Sequence, residues 1–229
     1  MGYNFNIYAE IPVDELLDGL EKNQGYFRCA CIDDKFQVVK YCLDMAAKHR
    51  ENLLDILLEP SFVAKEIFNG TDITIIILLI NYMAKLKPNF MIETLDNIIK
   101  LMDQEDYNIM RYSLFGEWKM SINMATFLIE LFEDYMPEKI INIIRFGNYT
   151  LWKKSCIDGE LIFVKFVVEK IIKNYPTDEL MKLLYVDYLY VVKMTLFKNN
   201  LDIFNFFKEI YFKYLYQSDA YINNLFNNN

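Results

Sequence analysis

The sequence has little of what enzyme active sites usually require. It contains one histidine, His49, between Lys48 and Arg50 at the polar end of a predicted helix. The helix dipole favours a cation there, so a solvated or capping role is a better interpretation than a catalytic one. Neither a Walker phosphate-binding loop nor a GxGxxG fingerprint occurs. We therefore predict no catalytic residue and no cofactor, and we expect that the chain is not an enzyme.

Cysteine and acidic residues lack the spacing of metal ligands. The four cysteines, Cys29, Cys31, Cys42 and Cys156, fall inside predicted helices without a CxxC pair. This pattern is typical of buried, reduced thiols. The acidic runs do not have calcium-loop spacing, and solvated surface is the better interpretation for them. We predict no metal site.

Long apolar runs are also absent. The longest, 73–84, contains Thr74 and Asn81 and is shorter than the roughly 20 residues that cross a bilayer. It predicts a buried helix. Residues 1–6 show neither the basic nor the apolar region of a secretory signal, so we expect a cytoplasmic protein without a membrane span. The net charge of −8 argues against a nucleic-acid partner, because acidic surfaces repel phosphates.

Proline and glycine are scarce, with 5 and 7 residues, while hydrophobic residues make up 54% of the chain. Apolar residues recur at i, i+3, i+4 and i+7 almost throughout, and alternating strand patterns are hard to find. The sequence therefore predicts an all-α fold with a continuous core.

One segment of the chain recurs. Residues 155–165 match residues 30–40 without a gap, and 195–205 keep the small residue, the apolar pair and the polar turn. Along the chain we predict short aliphatic helices at 53–58, 95–102, 140–144 and 180–184, each followed by an inner helix that ends at the turn. A longer outer helix is predicted after each turn, at 73–86, 120–135, 161–174 and 201–214. Turns near 116, 158 and 198 give a period near forty residues, which predicts one helical-repeat solenoid over residues 1–229. The predicted units are 12–49, 50–88, 90–136, 137–175 and 176–216, followed by a tail, 217–229.

The fourth unit resembles an ankyrin repeat. It opens with Thr150, its inner helix ends in the small residues Ser155 and Cys156, and an Asp158-Gly159 turn leads into an apolar outer helix. Such degenerate ankyrin-like repeats are similar to those of large DNA viruses and intracellular bacteria. The resemblance implies a protein-binding solenoid, with a host-directed factor acting in host cytoplasm as one role.

The sequence also departs from the ankyrin pattern. The period exceeds the usual length of about 33 residues, and the Thr-Pro-Leu-His signature is absent, since Leu151 replaces the proline and Lys153 the histidine. A HEAT-like helical array therefore stays an alternative.

A column of cations is the sharpest functional feature of the alignment. Two positions before the small residue stand Arg28, Arg111, Lys153 and Lys193, while the second unit offers only the neighbouring Lys65. Stacked repeats place equivalent positions in a column. The column could bind an acidic partner segment on the inner-helix, concave surface. It could equally be structural, with the cations bonded to backbone carbonyls and their methylenes stacked on apolar neighbours.

These patterns predict a non-enzymatic protein–protein interaction module whose partner is another protein with an acidic segment. The alternative is a self-associating structural or assembly subunit that uses its aromatic-rich last unit. A monomer or a weak homodimer is expected.

Overall fold

The computed structural model describes residues 11–69, 71–112, 121–185, 193, 195–196 and 198–215. Helix accounts for 86% of the structure, and the described residues contain 12 α-helices and no strand, which confirms the all-α prediction. The helices are α1 (Val13–Lys22), α2 (Gly25–Ile32), α3 (Phe36–His49), α4 (Leu53–Leu57), α5 (Pro60–Asn69), α6 (Ile73–Leu86), α7 (Pro88–Tyr112), α8 (Ile122–Tyr135), α9 (Ile140–Asp158), α10 (Leu161–Asn174), α11 (Thr177–Tyr185) and α12 (Leu201–Ile210). A 3₁₀ turn, Pro137–Lys139, precedes α9, and a π-helical turn, Tyr211–Leu215, follows α12.

The chain forms two compact units, Met1–Tyr135 and Met136–Asn229. Helices α1 to α8 lie in the first unit and α9 to α12 in the second. The single solenoid domain and its five repeat boundaries stay predictions.

Within the first compact unit, the first six helices pack as two equivalent triplets. Helix α1 contacts α4, α2 contacts α5, and α3 contacts α6, so each helix lies against its counterpart. In the second unit the outer helix α10 likewise contacts α12. These contacts fit a stack of repeats, and the solenoid itself stays a prediction.

The outer helices α3, α6, α8 and α10 bury the same positions. In each, the third, fourth, seventh, eighth and eleventh residues are buried, which is the apolar stripe of a 3.6-residue period. These residues are Val38, Val39, Cys42, Leu43 and Ala46 in α3; Ile75, Ile76, Leu79, Ile80 and Met83 in α6; Met124, Ala125, Leu128, Ile129 and Phe132 in α8; and Phe163, Val164, Val167, Val168 and Ile171 in α10.

The inner helices α2 and α9, and the helical residues 195–196, lead into the same turn. In each, a backbone N–H donates to the carbonyl five residues earlier, across a residue with positive φ, as in a Schellman cap. The bonds run from Lys35 to Ala30 (2.8 Å), from Glu160 to Ser155 (2.9 Å) and from Asn200 to Thr195 (2.9 Å), across Asp34 (φ 55°), Gly159 (φ 86°) and Asn199 (φ 59°). A fourth bond of this spacing joins Thr71 N–H to the Glu66 carbonyl at 3.3 Å. The carbonyl residues Ala30, Glu66, Ser155 and Thr195 are all buried.

Two helices differ from the predicted pattern. A short helix, 95–102, was expected to be separate from the following inner helix, but α7 continues from Pro88 to Tyr112 because no proline or glycine interrupts it after residue 88. Helix α9 is likewise continuous from Ile140 to Asp158, where a short helix and a separate inner helix were expected, although Gly147 (58°) and Tyr149 (61°) within it have positive φ. The predicted turn near residue 116 and the tail 217–229 lie outside the described residues.

The prediction that all four cysteines are free thiols is confirmed, and three of the four are buried as predicted. Cys31, Cys42 and Cys156 are buried and unbridged, but Cys29 is exposed, because it lies on the side of α2 opposite the core. Burial raises the pKa of the Cys42 thiol to about 12 and also raises that of Cys31 and Cys156. At neutral pH these three sulfurs are protonated core atoms. In the described part of the chain, no helix is both long and apolar enough to cross a membrane.

Candidate functional site

Polar bonds between turns hold neighbouring inner helices side by side. The Asp34 carboxylate accepts a hydrogen bond from the backbone N–H of Asp72 at 2.8 Å, which joins the turns after α2 and α5. In the second compact unit, the Asn200 side-chain amide donates to the Ile157 carbonyl at 2.5 Å. Because these bonds join equivalent turns, they fix the inner-helix surface of each compact unit.

A second set of bonds joins the residues that follow the outer helices α3 and α6 to the short helices α1 and α4. Arg50, after α3, contacts Asp18 at 2.7 Å and Glu21 at 2.8 Å in α1. Lys87, after α6, contacts Asp55 in α4 at 2.8 Å. The two pairs Asp18–Arg50 and Asp55–Lys87 have the same sequence separation.

The same capping position is neutral in the second compact unit. Tyr175, after α10, donates from its hydroxyl to the Pro137 carbonyl at 2.7 Å and accepts from Ile141 N–H at 3.0 Å. The contact is therefore conserved in position between triplets while its chemistry changes from an ion pair to hydrogen bonds with the backbone.

The outer helices α3 and α6 are joined by a hydrogen-bonded cluster. Tyr82 of α6 donates from its hydroxyl to the Asp44 carboxylate of α3, which Lys40 also contacts at 2.5 Å. Burial raises the pKa of Asp44, but the hydrogen bonds from Lys40 and Tyr82 outweigh it and leave that pKa below its usual value. Burial and the carboxylate both raise the pKa of Tyr82. The cluster consequently holds a charged aspartate and a neutral tyrosine.

The first member of the predicted cation column is engaged within the fold. Arg28 lies over the Phe62 ring, with 4.8 Å between the guanidinium carbon and the ring centroid. Its Nη2 atom donates to Gln24 at 3.0 Å and lies 3.5 Å from the Glu59 carboxylate. Stacking of a cation on an aromatic ring links α2 to α5. These contacts fit the structural interpretation of this position.

The other three members of the cation column have different surroundings. The side chain of Arg111 lies outside the described residues, Lys153 is half-buried, and Lys193 is exposed. The equivalent position of the second triplet is Ala64, which is fully buried. Arg28 belongs to the first compact unit, and Lys153 and Lys193 belong to the second. The binding role of the column stays a prediction.

Sequence analysis named Lys65 only as a neighbour of the cation column and missed that its position is exposed in several inner helices. The residue directly before the buried small position is exposed in three of them: Cys29, Lys65 and Lys154. Alignment on the small residue could have found it, since the side chain preceding a buried one points about 100° away around a helix. Lys154 therefore extends the basic surface beside Lys153.

Other chemistry-bearing groups do not converge. In the part of the chain that the structure describes, no group of three or more His, Cys, Asp or Glu side chains is placed to hold a metal ion. His49 is exposed at the last residue of α3. The candidate functional surface consists of the exposed basic positions of the inner segments, Lys65, Lys154 and Lys193.

Comparison with protein-family models, with curated proteins and with solved structures finds no match in any of the three.

Proposed function

We propose that this chain is a non-enzymatic module of ankyrin-like repeats that binds another protein through its inner-helix surface. The observation that carries the proposal is the recurring turn, in which the same backbone bond follows the same buried position at Ala30, Ser155 and Thr195. Units that share a turn and a buried stripe stack in register, and stacking places their exposed side chains in columns. Such a surface is preformed, so binding costs little ordering of the module.

The proposed partner segment is acidic, and its proposed contacts are Arg28, Arg111, Lys153 and Lys193. The distribution of charge along the chain favours Lys153 and Lys193 as contacts of an acidic segment. Residues 1–135 contain 22 acidic and 12 basic side chains, whereas residues 136–229 contain 10 acidic and 12 basic ones. An acidic segment is therefore repelled less by the second compact unit. Lys154, exposed beside Lys153, adds a further cation there.

The contribution of each lysine is expected to be modest. Charges at an exposed rim mainly increase the association rate and the discrimination between partners, and salt screens them. Partner binding should accordingly weaken as ionic strength rises.

The proposal is tested by charge reversal. Proteins captured from a cell lysate by the wild-type chain are compared with those captured by Lys153→Glu/Lys193→Glu. The matched control is Lys48→Glu/Lys85→Glu, which makes the same charge change at exposed positions in the last turns of α3 and α6. We expect captured proteins with acidic segments to be lost with the first variant and kept with the control.

Two results would contradict the proposal. Both variants could retain the same captured proteins, or the Lys153→Glu/Lys193→Glu variant could lose several degrees of thermal stability. The second result would mean that these lysines support the fold rather than a partner.

A further inference from the structure

Helix α9 contains two residues whose backbone is left-handed. They are Gly147 (φ 58°) and Tyr149 (φ 61°), and the hydroxyl of Thr150 donates to the Gly147 carbonyl. Glycine adopts this conformation readily, but for a large residue such as tyrosine it is an outlier that costs energy. A costly conformation persists only where neighbouring groups hold it. We call residues 147–150 the α9 joint.

Arg145 links the α9 joint to helix α11. Its Nη2 atom donates to the Glu179 carboxylate of α11, and its side chain is also hydrogen-bonded to Tyr149. Burial lowers the pKa of Arg145, but the hydrogen bonds to Glu179 and Tyr149 outweigh it and raise that pKa. These contacts tie the left-handed tyrosine to a second helix of the same compact unit.

The acceptor of this contact is a well-held carboxylate. The Glu179 side chain is only 17% exposed, and Lys182 contacts its other oxygen at 2.6 Å. The hydrogen bond from Lys182, together with that from Arg145, outweighs burial and holds the pKa of Glu179 below its usual value. The carboxylate is therefore charged at neutral pH, and salt screens its bond to Arg145 less than it screens a fully exposed pair.

The α9 joint comes directly before the lysines of α9. Lys153 and Lys154 lie three and four residues after Thr150, in the part of α9 that continues to the recurring turn. Helix α7 spans the junction between a predicted short helix and a predicted inner helix without a left-handed residue in its described range. Such a junction can therefore be straight, and the direction of the part of α9 that carries the lysines depends on the conformation of the joint.

We propose that Arg145 is a positioning residue, which clamps the α9 joint against α11 and so sets the direction in which Lys153 and Lys154 meet an acidic partner segment. The guanidinium suits this role, because its planar fork of donors can bond to groups on two helices at once. The positioning role rests on the proposed function, whereas the clamp can be measured without a partner.

Replacing Glu179 by alanine tests the clamp, and Asp178→Ala is the matched control. Both residues lie in the first turn of α11, and both changes remove one negative charge, but Asp178 is exposed. In an isotope-labelled chain, the backbone carbon chemical shifts of Tyr149 report whether its φ is positive. We expect Glu179→Ala to move these shifts to right-handed values and Asp178→Ala to leave them unchanged.

Binding is measured with polyglutamate as the acidic probe, at low ionic strength. Removing a negative charge by itself favours an anionic ligand, so Asp178→Ala should bind polyglutamate at least as well as the wild type does. Glu179→Ala should instead raise the Kd at least about threefold, because displaced lysines lose charge complementarity. Adding Tyr149→Asn to Glu179→Ala should restore the wild-type Kd, since asparagine adopts the left-handed conformation at lower cost, as Asn199 does.

Two results would overturn the proposal. The Tyr149 shifts could stay left-handed in Glu179→Ala, or the Kd values of the two alanine variants could follow the charge change alone. A wild-type chain that does not bind polyglutamate would contradict the acidic partner and with it the positioning role, while the Tyr149 shifts would still decide whether Arg145 holds the joint. Equal far-UV circular dichroism of all variants would exclude unfolding as the cause of weaker binding.

Discussion

Replacing Gly159 by alanine tests the physical basis of the recurring turn. Gly159 lies after α9 with φ at 86°, in the left-handed region. Side chains with a Cβ atom pay about 1 to 2 kcal/mol there. The equivalent residues Asp34 and Asn199 tolerate the conformation better than alanine does, because short polar side chains hydrogen-bond locally.

A second cost comes from the neighbouring turn. A Cβ atom on Gly159 would lie 3.1 Å from Oδ1 of Asn200, so the Asn200 side chain would have to move. That movement would disturb its hydrogen bond to the Ile157 carbonyl, worth about 0.5 to 1.5 kcal/mol. The two costs together predict that Gly159→Ala lowers the free energy of unfolding by about 1.5 to 3.5 kcal/mol.

The assay is urea unfolding followed by tryptophan fluorescence. Trp152 is buried in α9, where it packs against Phe207 of α12, so it reports on the second compact unit. Replacing the other tryptophan, Trp118, by phenylalanine in every protein leaves Trp152 as the sole probe. Equal m-values would show that the surface exposed on unfolding is unchanged.

A second glycine, Gly19, is a control at which replacement by alanine should stabilise the chain instead. Gly19 lies inside α1, and a Cβ added there meets nothing within 4 Å. Gly19→Ala should therefore stabilise the chain by about 0.5 to 1 kcal/mol, measured by far-UV circular dichroism. A neutral or stabilising Gly159→Ala would refute the reasoning, since it would mean that the turn does not hold the left-handed conformation.

Two further changes test a buried position of α9 and the N-terminal cap of α6. Ser155 is buried and its hydroxyl has no hydrogen-bond partner among the residues that the structure describes, so Ser155→Ala should raise stability by about 1 kcal/mol in urea unfolding. A destabilised variant would reveal a bond to that hydroxyl. Asp72 caps α6 by accepting from Thr74 N–H at 2.7 Å, and Asp72→Ala should cost about 1 kcal/mol at neutral pH. The hydrogen bonds from Thr74 hold the pKa of Asp72 below its usual value, so the cap stabilises above the unfolded-state pKa and is lost as pH falls through the folded one. The stability difference between wild type and variant should accordingly vanish in acid, and a difference that persists there would contradict the assignment.

Much of the helix pattern could be predicted from the sequence. Helices α6 and α10 begin and end at the residues that the periodicity indicates. In both, a Gly-containing turn precedes the helix and a proline follows closely, so local signals bound the helix on both sides. The recurring turn was visible as a self-match because its small residue, polar turn and apolar return are set by backbone geometry.

The differences arise where local signals are weak or tertiary contacts decide. Helix α7 continues through the acidic segment 103–106, so polarity alone wrongly suggested that a helix ends at residue 102. The expected helix 201–214 changes to a π-helical turn after Ile210, and nothing in the residues between indicates it. The prediction that Cys29 is buried was wrong, because the residue type alone does not determine which face of a short helix packs against the core.

The candidate site was less predictable than the fold. Alignment placed four cations in one column, but the setting of each depends on residues far away in sequence. Arg28 is engaged by Glu59 and Phe62 only because α2 packs on α5. Such contacts arise from tertiary packing, which cannot be predicted from the pattern of a single sequence.

Amide hydrogen exchange at the recurring turn tests the central claim, that the same unit recurs along the chain. The backbone N–H groups of Lys35, Glu160 and Asn200 donate to carbonyls five residues earlier. All three should exchange at least about tenfold more slowly than an unstructured chain, because each is bonded within a packed turn. Exchange of one or more of them at the unstructured rate would contradict the shared turn, and with it the repeat on which the proposed binding surface rests.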